Sequence, residues 1–107
     1  MTNKQISKQE WINGFNDYTK VAFETEAGIR LTSTEAFGMT FYYLAGDGYY
    51  FRLDADTSFD LLAYYHEAYA NNMYEHFNDK VSGIVLGIIG NQHAPAPATL
   101  VGLEGLF

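Results

Sequence analysis

The chain has 107 residues, 13 acidic and 6 basic side chains besides His, 48% hydrophobic residues and 17% aromatic ones. This length suits one domain, residues 1–107, and the composition is that of a folded globule rather than a disordered tail. A formal charge of −7 argues against direct binding of DNA or RNA through phosphates, and with no cysteine there is no disulfide, thiolate metal site or cysteine nucleophile.

The first element expected is a helix. Ser7 and Glu10 form a capping box, so a helix should open at Lys8. Trp11, Ile12, Phe15, Tyr18, Ala22 and Phe23 share an arc of about 140° at helical spacing, with Asp17, Lys20 and Glu24 opposite. The pattern predicts one helix running to Ala27, closed by Gly28, with Trp11 and Phe15 facing the core.

Between Gly38 and Asp56 the period falls to about two, with β-rich residues on either side of Gly46-Asp47-Gly48, which predicts a hairpin. Matching Met39, Phe41 and Tyr43 to Tyr49, Phe51 and Leu53 on one apolar face calls for a three-residue loop, residues 46–48, with Gly48 left-handed. A two-residue Asp47-Gly48 loop would shift the register by one. The outer face would then carry Thr40, Tyr42, Tyr50, Arg52 and Asp54. A competing reading makes residues 34–45 a helix.

A second long helix is expected over residues 58–78, capped by Asp56 or Thr57. Phe59, Leu62, Tyr65, Tyr69, Met73, His76 and Phe77 form its packed arc, and Asp60, Tyr64, Glu67, Asn71, Glu75 and Asn78 face away. The glycines at 83, 87 and 90 would each cost a helix about 1 kcal/mol, so residues 81–89 read as a buried strand joining the hairpin. Residues 91–107 read as a Pro-containing tail ending in Leu100, Val101, Leu103, Leu106 and Phe107, able to dock on this chain or on a second copy. The fold class expected is therefore α+β: an N-terminal helix, a small antiparallel sheet, a long second helix and an apolar tail, with all-α as the alternative.

Motifs for chemistry are sparse. Asp54, Asp56, Ser58 and Asp60 alternate as in the first half of a calcium loop, but Phe59 stands where that loop needs glycine and Tyr65 where it needs glutamate. His66 and His76 are ten residues apart, which on one helix separates them by almost three turns, too far to share a metal. No phosphate-cradling loop or nucleophile elbow appears, so no cofactor, metal or catalytic residue is assigned and the chain reads as a non-enzyme.

Charge distribution is the more informative signal. Residues 53–79 carry six acidic side chains and no Lys or Arg, whereas residues 1–52 carry six acidic and five basic. Asp54, Asp56, Asp60, Tyr64, Glu67, Asn71 and Glu75, with Tyr42 and Tyr50 of the hairpin, are the candidate partner-binding residues: carboxylates beside tyrosines imitate phosphate charge and base faces. The expected function is a non-catalytic acidic protein that inhibits a basic host or competitor protein by occupying its nucleic-acid-binding or nuclease surface. Small phage and mobile-element inhibitors, such as anti-CRISPR and antirestriction factors, and nuclease-immunity proteins are comparable in size and charge alone. The alternatives are a homo-oligomeric module binding a small ligand against aromatic side chains, and an enzyme with carboxylates assembled in three dimensions. The longest apolar run, residues 83–90, is far short of the roughly 18 residues that cross a bilayer, so the expected location is the cytoplasm, without membrane partners.

Overall fold

The computed structural model describes the backbone of residues 3–93 and the side chains of residues 3–90; the expectations for the tail beyond lie outside the described residues. The fold is mixed α+β. A five-stranded antiparallel sheet contains β1 (Lys4–Gln5), β2 (Lys20–Glu24), β3 (Arg30–Ala36), β4 (Met39–Ala45) and β5 (Tyr50–Leu53), in the order β1-β5-β4-β3-β2. Helices α1 (Lys8–Asn13), α2 (Ala55–Ala70) and α3 (Tyr74–His93) complete the described chain.

The expected N-terminal helix starts as predicted, with the Glu10 amide donating to Ser7 Oγ at 3.1 Å, but it stops at Asn13. Gly14 and the Asn16-Asp17 turn break it: the Asn16 side-chain oxygen accepts from the Tyr18 amide at 2.7 Å. The β-prone stretch that follows becomes β2, hydrogen-bonded to β3 through a turn at Gly28, which takes the expected positive φ of 83° in a hairpin rather than at a helix end.

The β4–β5 hairpin is present in the other register. Leu44 faces Phe51 and Tyr42 faces Leu53, and the Gly46 amide donates to the Tyr49 carbonyl at 3.1 Å across the two-residue Asp47-Gly48 turn. Core burial decides this: Leu44, Phe51 and Leu53 are at most 1% exposed, a match that the shorter loop alone permits. Tyr42 therefore points inward with Leu44, while Phe41, Tyr43, Tyr50 and Arg52 occupy the outer face. Gly46 leaves room for the Tyr49 ring, since a Cβ there would lie 2.1 Å from it and would have to displace it.

Residues 58–93 form two helices instead of a helix and a strand. Asp54 caps α2 by accepting from the Thr57 amide at 2.8 Å. The turn after Ala70 passes through Asn72 at φ 58°, a left-handed position that asparagine tolerates. α3 then returns with Phe77, Val81, Val85, Ile88 and Ile89 buried at helical spacing. Gly83 and Gly87 face outward, where added Cβ atoms would meet nothing within 4 Å, so their helix penalty is outweighed by burial of the apolar stripe between them.

Both long helices cover one face of the sheet. Leu31, Leu44, Phe51 and Leu53 pack there against Leu61, Phe77 and Val81, and Phe23 of β2 stacks on Tyr65 of α2 at 4.6 Å between ring centroids. On the opposite face the short α1 lays Trp11 against Tyr50 at 5.0 Å, and Gly14 sits directly on the Tyr43 ring. Phe15 touches Trp11 edge-on but stays 38% exposed, so it belongs to a surface cluster and not to the main core.

Candidate interaction surface

The acidic residues expected to act together separate into three settings. Asp54 is the α2 cap and Asp56 an exposed residue of its first turn. Asp60, Tyr64 and Glu67 follow at spacings of four and three along one exposed side of α2, and Asn71 closes the helix by donating its side-chain amide to the Glu67 carbonyl at 2.8 Å. Glu75 lies beyond the turn, in the first turn of α3, so it does not continue the α2 row.

Two further placements differ from expectation. Tyr42 and Tyr50 do not share an outer surface: Tyr42 packs inward with its ring 5.7 Å from Phe59, and Tyr50 lies under Trp11 on the other face. The helical return also brings Lys80 to 4.9 Å from the Tyr64 ring, a cation–π contact that puts a positive charge inside the acidic row. Lys80 falls just past the stretch without Lys or Arg in the chain and meets it only in space.

The carboxylates of this surface are otherwise unneutralised. Among the described residues the one ion pair joins Arg30 to Glu24, on the far edge of the sheet, while Asp56, Asp60, Glu67, Glu75 and Asp79 are exposed without one. Asp60 and Tyr64 border an open groove of about 390 Å³ between α2 and α3, together with Asn3, Thr57, Lys80 and Ile84. No cluster of three or more His, Cys, Asp or Glu side chains able to hold a metal occurs among the described residues. Nor is any described helix long and apolar enough to cross a membrane.

A second concavity, of about 360 Å³, lies between the β4–β5 turn and α3, bordered by Asp47, Tyr49, Ser82, Val85, Leu86 and Ile89. Burial, and then the neighbouring Asp47 charge, raises the Tyr49 phenol above its ordinary value of 10.0, so it stays protonated and able to donate. Tyr69, stacked on Tyr65 and tilted against Tyr74, is raised by burial as well, against an opposing hydrogen bond to Thr25.

The feature that sequence reasoning missed is the β3–β4 turn. Ala36 pairs with Met39, leaving Phe37 and Gly38 as a two-residue turn with both φ angles positive, 55° and 72°. Phe37 is 98% exposed, and Tyr18 and Met39, which border the same shallow groove, are at least half exposed. The Phe37-Gly38 dipeptide between two alternating stretches was the available signal, obscured by a competing helical reading of residues 34–45. Comparison with protein-family models, curated proteins and solved structures finds no match to this chain.

Proposed function

We propose that this is a non-catalytic acidic interaction protein that inhibits a basic partner by covering its nucleic-acid-binding or nuclease surface. One observation carries the reading: the α2 row and the first turn of α3 present exposed carboxylates with no ion-pair partner among the described residues. Such a surface steers towards a basic one, and cations supplied by the partner offset the cost of desolvating the carboxylates on docking. Lys80 over Tyr64 narrows the acidic face without closing it, since Asp60 and Glu67 lie on either side.

The test is charge reversal at Asp60, Glu67 and Glu75 together. Full-length chain and the triple Lys variant are used to retain proteins from the source cell, and the retained basic protein is purified for binding kinetics. Association should slow at least tenfold in the variant and slow with rising salt in the wild type, with unchanged circular dichroism. Equal kinetics for both chains would reduce the acidic row to a solubility device.

The Tyr49 concavity favours a second reading, a small ligand held by apolar side chains and a protonated phenol. A ligand retained by native mass spectrometry and lost in Tyr49→Phe would support it.

A further inference from the structure

Phe37 occupies a position that neither stability nor solubility accounts for. A two-residue turn with positive φ at both central positions suits Asn, Asp or Gly first and Gly second, because a Cβ in the left-handed region crowds the following carbonyl. Phe37 takes that first position at φ 55° and is 98% exposed, so packing among the described residues does not offset the strain.

Its surroundings are apolar at the centre and acidic at the rim. The loop before β2 is held alongside the tip by Asn16 Nδ2 donating to the Glu35 carbonyl at 3.0 Å and by a 3.0 Å contact between the Thr19 and Thr34 hydroxyls. Tyr18, 66% exposed, and Met39, 50% exposed, thereby flank Phe37 around a shallow groove. β4 runs past the end of β5, where Leu53 faces Tyr42, so the tip projects beyond the start of α2. Tyr42 touches Phe59 there, and Phe59, itself 56% exposed, sits between Asp56 and Asp60. Asp17 and Glu35 add two exposed carboxylates beside the tip, where the basic side chains are Lys20 on β2 and Arg52, which lies 5.9 Å from the Phe41 ring; with Asp56 and Asp60 the acidic side chains outnumber them.

We infer that Phe37 is an anchor that inserts into an apolar pocket, bordered by Lys or Arg, on a folded basic protein partner. This rests on the proposed function and adds to it the contact that controls dissociation. A projecting ring needs a concave receptor, and the carboxylate rim matches cations around that receptor, which is the arrangement of a buried aromatic anchor inside a charged border. The same rim disfavours an anionic lipid surface and a second copy of this chain, whose charge is −7.

Three measurements test it. Phe37→Asn should leave the melting temperature unchanged or raise it by up to about 4 °C, since asparagine fits the turn; a fall of more than about 4 °C would show that the ring supports the fold and would overturn the inference. Full-length chain with a photoreactive benzoyl-phenylalanine at position 37 should crosslink in the source cell to a basic polypeptide, while the same group at Glu26, at the opposite end of the sheet, should not. A product of twice the chain's mass, a lipid adduct or no adduct overturns it. Against the crosslinked protein, once purified, Phe37→Asn should speed dissociation by about 30-fold or more with association little changed. If Phe37→Asn binds as wild type does while the Asp60, Glu67, Glu75 reversal abolishes binding, the anchor is wrong and the proposed function stands. If both variants bind as wild type, both fail.

Discussion

At the scale of single residues, position in the fold separates side chains that look alike in the sequence. Tyr42, Tyr49, Tyr50 and Tyr64 lie, respectively, on the core face, in a concavity, under Trp11 and beneath Lys80. Burial keeps Tyr49 and Tyr69 protonated past the pH at which the unfolded chain ionises. Because both folded values are raised, their contribution to stability is fully present below about pH 10 and is lost as pH climbs through the folded values. Melting temperature followed by circular dichroism should therefore drop in the alkaline range, and the drop should move to higher pH in Tyr49→Phe and Tyr69→Phe. Gly46 makes an equally local demand: Gly46→Ala should lower stability by about 1 to 3 kcal/mol in denaturant titration, because the new methyl must displace the Tyr49 ring.

At the scale of elements, the two faces of the sheet differ in what they stabilise. Leu44 is fully buried between α2, α3 and the strands, so Leu44→Ala should cost about 2 to 5 kcal/mol. Phe15, expected from helical spacing to be a core residue, lies in the smaller α1 cluster and is 38% exposed, so Phe15→Ala should cost about 1 kcal/mol. Measuring the two by urea unfolding distinguishes a single core with an attached α1 from two cores of equal weight. The Ser7 cap lies on the same short helix, and Ser7→Ala should cost about 1 kcal/mol or less.

At the scale of the whole molecule, charge and shape are arranged on different axes. The carboxylates without an ion pair among the described residues run along α2 and into α3, on the side of the sheet opposite α1, and the strained apolar tip projects past the end from which α2 starts. Partner association should fall with ionic strength through the first feature, and residence time should depend on the second. A salt series of association and dissociation rates, with the α2 triple reversal and with Phe37→Asn, reads the two contributions apart. The Tyr49 concavity lies at the other end of β4, beside α3, so substitutions there should leave both rates unchanged.

Local chemistry sufficed for the helix start at Ser7, the hairpin around Gly48, the left-handed glycine at 28 and the exposed row Asp60, Tyr64, Glu67, each of which depends on neighbours within a few residues. The α+β class was legible for the same reason. Residues 18–24 carried a helical reading that pairing with β3 overruled, and residues 81–89 carried a strand reading that burial against α2 and the sheet overruled. The hairpin register was settled by which side chains of β4 reach the core, a choice the loop sequence left open. Lys80 over Tyr64 and the projecting Phe37 emerged from the same cause: contacts distant in the chain set which side chains are neutralised, which are buried and which remain free to bind.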